Sequence, residues 1–304
     1  MRHAFLIIAH NNWWQLRTLI QLLDEKDHDL YIHIDKKSRD FVRSDFEGIA
    51  EQSKLCFYQE YKVYWGGYSQ VETELFLFEK AHEVRYDYYH LISGGDLPLK
   101  SNREIDGFFE RNKGKQFIEF DEEKLKEDPE ICRRTRLYHC LQNYRRAFRC
   151  KWLNAVFTFL ERVLLGAQIL VGVNREKDLD WVIQYGSNWV SITDELIETL
   201  LGEREKIRQI FSYTNCADEL FVQTVAYNCG FKESVYTLPD GRTSNMRFID
   251  WGRGRNGNPY TFRMEDEELL GRQEALFARK FCEGVDRGII EQLSGKRLAE
   301  KKNG

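Results

Sequence analysis

AFLIIAHNNWWQLRTLIQLLDEKDHDLYIHID, Ala4 to Asp35, is the stretch that decides the fold class. Ala4 to Ala9 is a continuous apolar run, the pattern of a strand covered on both faces rather than on one. WWQLRTLIQLLDEKD (Trp13 to Asp27) then spaces its leucines as a helix does, and DLYIHID (Asp29 to Asp35) reads as a second strand. Strand, helix, strand implies parallel pairing through a right-handed crossover.

The alternation continues outward. LCFYQE (Leu55 to Glu60) and the turn VYWGG (Val63 to Gly67) supply a third strand, SQVETELFLFEKAHE (Ser69 to Glu83) a helix, and YDYYHLIS (Tyr86 to Ser93) a strand running into SGGD. This order predicts an α/β protein with a mostly parallel sheet of the nucleotide-binding type. KQFIEFDEE (Lys115 to Glu123) and DWVIQYGSNWVSIT (Asp180 to Thr193) read as further strands, and DELIETLLGEREKIRQIF and ADELFVQTVAYNCG as helices. MRFIDW reads as a strand before a Gly- and Arg-rich loop, and EELLGRQEALFARKF (Glu267 to Phe281) as a helical ending. No repeat or low-complexity linker interrupts the 304 residues, so one domain is expected over 1–304, with a basic helical insertion at about 128–177.

A hydrophobic share of 42% suffices for a large core, and a net charge of −4 gives no global attraction to nucleic acid. The seven cysteines are scattered and contain no C-x-x-C pair, so they are expected to be reduced, in a cytoplasmic setting, with no zinc site among them. The N-terminus enters a strand at once and shows no secretory signal. NAVFTFLERVLLGAQILVGV (Asn154 to Val173) has the length of a membrane span but carries Glu161 and Arg162 at its middle, each costing about 2.5–3.5 kcal/mol at a bilayer centre. It is therefore expected as an amphipathic helix packed on the core with its basic end in solvent. YRRAFRCKW (Tyr144 to Trp152) just upstream suits the alternative, a helix lying peripherally on an anionic membrane.

Neither G-x-x-x-x-G-K-[ST] nor G-x-G-x-x-G after the first strand is present, and there is no G-x-S-x-G. Polar residues instead end the strands, where open parallel sheets bind ligands: His10 after the first, Asp35 after the second, Asp96 after SGG. Period-two alternation puts His33 and Asp35 on one side, fit for a ribose, a base or a metal, or for capping the next turn. Asp218 and Glu219 open a helix, where carboxylates cap well and where one aimed into a cleft serves as general base. Arg247, Arg253, Arg255, Arg263 and the ARK of Ala278 to Lys280 supply cations for a diphosphate, or ordinary surface charge.

AFLIIAHN, YIHIDKKS, VYWGGYS, YHLISGGDLPLKS, GSNWVSIT, ADELFVQT, MRFIDW and LFARKF, taken in order from Ala4 to Phe281, resemble the core-2/I-branching β1,6-N-acetylglucosaminyltransferases and their xylosyltransferase relatives, glycosyltransferase family 14, in a bacterial-type member. The resemblance is weakest in the 128–177 insertion. It implies a GT-A fold, a UDP-sugar co-substrate (N-acetylglucosamine first, xylose second), inversion by direct displacement, and no metal or other cofactor. Carried over, Asp35 contacts uridine, with Ile8 and Tyr64 lining the pocket; Glu219 is the catalytic base; Lys280 and a loop arginine, taken as Arg255, hold the diphosphate. Glu119, Trp189 and Trp251 touch the acceptor glycan, which for such a relative includes lipid-linked ones in polysaccharide synthesis at the inner membrane face. Since SGGD offers one carboxylate where metal-dependent relatives place D-x-D, Asp96 is expected to bind donor sugar or order its loop rather than a metal. Two rivals stand beside this reading. One is a metal-dependent nucleotidyl- or glycosyltransferase using His33, Asp35 and Asp96; the other is an inactive sugar-nucleotide or glycan-binding protein.

Overall fold

The computed structural model describes residues 1–303 apart from 146, 149 and 256. The opening unit forms as read: β1 (His3–Ala9), α1 (Trp13–Leu23) and β2 (His28–Ile34), followed by β3 (Leu55–Tyr58), α2 (Ser69–His82) and β4 (Tyr88–Ser93). After the SGGD turn come β5 (Asp96–Pro98), α3 (Asn102–Arg111), α4 (Glu122–Glu127), α5 (Pro129–Arg136) and α6 (Lys151–Leu170). Next are β6 (Ser191–Thr193), α7 (Asp194–Gly202), α8 (Arg204–Phe211), α9 (Phe221–Asn228), β7 (Arg247–Ile249), α10 (Glu267–Gly271), β8 (Phe277–Arg279) and α11 (Arg287–Asn303).

A five-stranded sheet runs in the order β3-β2-β1-β4-β6, parallel except at β6. Its central strands are apolar throughout because both faces are covered. Leu6, Tyr31, Tyr89 and Leu91 pack toward α2, α7 and α9, whereas Phe5, Ile7, Leu30, Ile32 and Ile92 pack toward α1 and the second sheet. That second sheet, β5-β8-β7, starts directly after the SGGD turn, so the C-terminal edge of the large sheet leads into it.

Four sequence expectations need correction. Of 180–193 only β6 is strand, and of 115–123 only isolated bridges form, Gln116 with Val235 and Phe117 with Ser191. Apolar residues there fill the core without joining a long ladder. The segment read as a helical ending breaks after α10, and Phe277–Arg279 become β8 because β5 and β7 offer their edges on both sides. α6 is not packed on the core through an apolar stripe: Glu161 is its one buried residue, and Trp152, Phe159 and Leu170 are 70%, 65% and 89% exposed. Its inward side carries Asn154, Glu161 and Gln168, which bond the backbone of the preceding loop, and Phe157, which stacks on Tyr144 and Phe148; most of its other large apolar residues are left outside.

Candidate active site

The strand ends converge with the turn that carries Glu219. At the end of β2, Asp35 Oδ1 accepts from the backbone N–H groups of Lys37 (2.9 Å) and Val63 (3.3 Å), and Lys37 Nζ lies 3.3 Å from Asp35 Oδ2. The Lys37 ammonium in turn sits 4.6 Å from the centre of the Tyr64 ring. Ile8 pairs in register with His33 on one side and Ser93 on the other, so Ile8, Asp35 and Tyr64 share one end of the sheet. His10 is there too, its pKa lowered by burial, opposed by the Asp35 charge and aided by Lys280 and Lys37.

VYWGG ties this pocket to the Glu219 turn. The Cys216 N–H donates to Gly66 O at 2.9 Å, and Cys216 takes a left-handed φ of 51°, which a non-glycine residue holds only where surrounding contacts impose it. The 3₁₀ turn Ala217–Glu219 follows, and neighbouring carboxyls part company. Asp218 is buried, with Oδ2 accepting from Gln70 (2.8 Å) and Asn188 (3.3 Å). Burial first, and the Glu219 charge second, push its pKa up to about 7. Glu219 keeps its carboxylate part-exposed and accepts from Arg134 of α5 at 2.5 Å. The Gly186 N–H donates to Glu219 O at 3.0 Å. A Cβ on Gly186 would stand 1.8 Å from Glu119 O, so only glycine lets the Glu119 and Glu219 backbones close on this point. Glu119 is half-buried, its pKa raised by burial and then by Asp121.

On the opposite side lies SGGD. Asp96 is buried; Oδ2 accepts from the Ser93 N–H (2.8 Å) and Oδ1 from Ser93 Oγ (2.9 Å) and Arg279 (2.7 Å). Both oxygens therefore order the loop and fix Arg279, whose guanidinium also stacks 4.5 Å from the Trp189 ring centre. The Lys280 stem lies over the bare Gly95 backbone, where a Cβ would be 3.7 Å from its Cγ. Burial, then the Arg279 charge, lowers the Lys280 pKa. Lys280 O accepts from the Phe262 N–H at 2.9 Å, which brings the far end of the Arg-rich loop alongside. Within that loop Arg255 is exposed, and so is Trp251. Arg253 is held by Asp250 (2.6 Å) and Asp266 (2.7 Å) and stacks on Tyr260. Arg247 is half-buried, donating to Val190 O (3.0 Å) and Ser191 Oγ (2.8 Å), with its pKa lowered to about 9 by desolvation of the guanidinium. It braces β6 and is not available to a diphosphate.

The residues of the metal-dependent rival do not assemble among the described residues. His33 Nε2 accepts from the Tyr61 N–H at 3.1 Å, and Asp96 is spent on its loop. The described group spaced to hold a cation is His3, His28 and Asp106, at the other end of β1 and β2. Arg134 and Gln70 lie outside every motif and enter the site by packing alone; Gly186 and Asn188 lie within GSNWVSIT, which gave them no role of their own. Arg279 was legible only as part of the basic ARK.

A profile of the Core-2/I-Branching enzyme family matches residues 3–272. The chain belongs to that family. Core-2/I-Branching enzymes are glycosyltransferases, and the match spans β1 to α10, including Asp35, Asp96 and Glu219 but stopping before Arg279 and Lys280. The chain is 24% identical to xylosyltransferase 2 of Canis lupus familiaris over 96% of its own length, and 23% identical to a xylosyltransferase of Ciona intestinalis over 97%. It spans about a third of the length of these relatives (33% and 34%). The crystal structure of mouse xyloside xylosyltransferase 1 aligns over 92% of this chain and 98% of that one, at 12% identity and a TM-score of 0.40.

Proposed function

We propose that this Core-2/I-Branching family member is an inverting, UDP-sugar-dependent glycosyltransferase that needs no metal. The carrying observation is the Glu219 carboxylate, part-exposed and oriented by Arg134, one residue from an Asp218 held inside. Glu219 takes the proton of an acceptor hydroxyl as that oxygen bonds to C1 of the sugar. The bond from C1 to the β-phosphate oxygen breaks, and its electron pair leaves with UDP. Lys280 and Arg255 bind the departing diphosphate, with Arg279, fixed by Asp96, adding positive charge behind it. Uridine sits against Ile8, Asp35 and Tyr64, and the acceptor glycan against Glu119, Trp189 and Trp251. The work belongs in the cytoplasm.

N-acetylglucosamine is the first donor sugar to test. Xylose is the second reading, favoured by the names of the relatives. The test is slow hydrolysis of a panel of UDP-sugars with EDTA present throughout, which requires no acceptor. Release of UDP from UDP-N-acetylglucosamine or UDP-xylose is expected. Hydrolysis that appears only after a divalent cation is restored would overturn the metal-free reading, and UDP binding without hydrolysis or transfer would favour a binding protein.

A further inference from the structure

Helix α6 is built inside out. Asn154, Glu161 and Gln168, seven residues apart and so on one face, point at the protein. Asn154 exchanges two hydrogen bonds with the Phe148 backbone (3.0 and 2.8 Å) and Gln168 two with that of Tyr138 (2.7 and 2.9 Å). Glu161 accepts from the Leu141 N–H at 2.9 Å and lies 3.2 Å from His139. The other faces present Trp152, Phe159, Leu160, Val163, Leu164 and Leu170 to the outside. A helix bathed in water turns its apolar stripe inward; here Phe157 stacks inward on Tyr144 and Phe148, but the buried residue is Glu161 and the larger apolar set faces out, which suits a helix whose outer medium is apolar.

We propose that α6 is a monotopic anchor lying flat in the interface of an anionic lipid bilayer. It cannot cross, because both ends are tied to the same body. Asn154 near one end and Gln168 near the other bind one loop, and beyond the helix Arg175 donates to Leu137 O and Ile210 O. Charge selects lipid over a second protein. From Tyr138 to Asn174 the sequence has five cations, Arg145, Arg146, Arg149, Lys151 and Arg162, against a single acid, Glu161, which is buried. Arg146 and Arg149 lie outside the described residues, but Lys151 and Arg162 are exposed on the helix itself. The outward surface of α6 thus combines apolar groups and cations without a carboxylate, complementary to anionic headgroups. Trp152, at its basic end, is the residue type that settles at the headgroup level. This inference stands independently of the proposed reaction. If both hold, α5, which supplies Arg134 to Glu219, lies one loop away from the bilayer surface.

The test is flotation of the full-chain protein with vesicles of phosphatidylcholine alone and of equal parts phosphatidylcholine and phosphatidylglycerol, at low and high salt. Binding to the anionic vesicles is expected to be stronger by on the order of tenfold, and salt should weaken it without abolishing it. The triple replacement Phe159→Ser, Val163→Ser, Leu170→Ser should abolish flotation with an unchanged melting temperature, since all three side chains are exposed. Lys151→Glu with Arg162→Glu, which leaves the apolar face intact, should weaken flotation selectively on anionic vesicles. The proposal is overturned by absent flotation with anionic vesicles, or by flotation that either variant retains in full. It is also overturned if the protein is a stable dimer in buffer that the triple replacement makes monomeric, which would assign the face to a second copy.

Discussion

The Glu219 carboxylate, held by Arg134 at 2.5 Å and part-exposed, and the ammonium of Lys280, whose stem lies over Gly95, are the two groups on which the reaction is proposed to turn. Glu219→Gln keeps the size and one acceptor oxygen but cannot take a proton. Transfer should fall by roughly 10²- to 10⁴-fold with UDP affinity preserved. A loss under tenfold in steady-state transfer would remove Glu219 from the role. Lys280→Ala removes a cation whose pKa is already lowered by burial and by Arg279, strain that an anionic diphosphate relieves. Affinity for UDP should therefore fall more than affinity for uridine, by about 1.5–3 kcal/mol, the range for a hydrogen bond to a charged group. Calorimetry showing equal losses for the two ligands would place the lysine elsewhere. HID and ADE by themselves left Asp35 and Glu219 as strand-end and turn carboxylates that serve equally as caps, and the uridine and base roles came only from the family resemblance. Arg134 was not readable, since nothing in EICRRTR distinguishes one arginine from the next until α5 lies against the turn.

At the level of elements, the segment from Asp180 to Thr193 has the β-rich composition of a strand yet contributes only three residues of ladder. It works mainly as a strap. Gly186 contacts the Glu119 backbone and donates to Glu219 O, Asn188 holds Asp218, and Trp189 supports Arg279. Gly186→Ala forces a Cβ to within 1.8 Å of Glu119 O, where backbone rather than a flexible side chain must yield. A loss of about 1–3 kcal/mol in unfolding free energy is expected from such overpacking, together with a fall in transfer as the Glu219 turn shifts. Denaturant unfolding that matches the wild type would show that the strap adjusts freely. α6 departs from expectation for a related reason. Its periodicity is that of an amphipathic helix, but periodicity does not say which stripe faces the protein; the loop from Tyr138 to Phe148, with backbone groups to satisfy, takes the polar one.

Across the whole molecule, Asp218 links the site to stability. Its carboxyl has a folded pKa of about 7 against an ordinary 3.8. Below about pH 4 both folded and unfolded chains carry the proton, and the stability it preserves is fully present. As pH rises, the unfolded chain ionises first, so stability falls, and the loss is complete once pH passes the folded pKa. Asp218→Asn should abolish this component: the variant's melting temperature should gain on the wild type between pH 5 and pH 8. An identical pH slope for the two proteins would show that Asp218 is ionised when folded across that range. The parallel α/β core was legible from Ala4 to Asp35 and from Tyr86 to Ser93, because strands buried on both faces must be apolar throughout and glycines must follow where the chain turns sharply. The strand-end positions of Asp35 and Asp96 came with it. Tertiary structure alone decided that Asp96 spends both oxygens on its own loop and Arg279, that Arg247 braces Val190 and Ser191, that Phe277–Arg279 is strand, and that α6 turns most of its apolar residues outward. Each of these depends on a partner distant in sequence, and local pattern carries no record of which distant groups will be left needing a hydrogen bond.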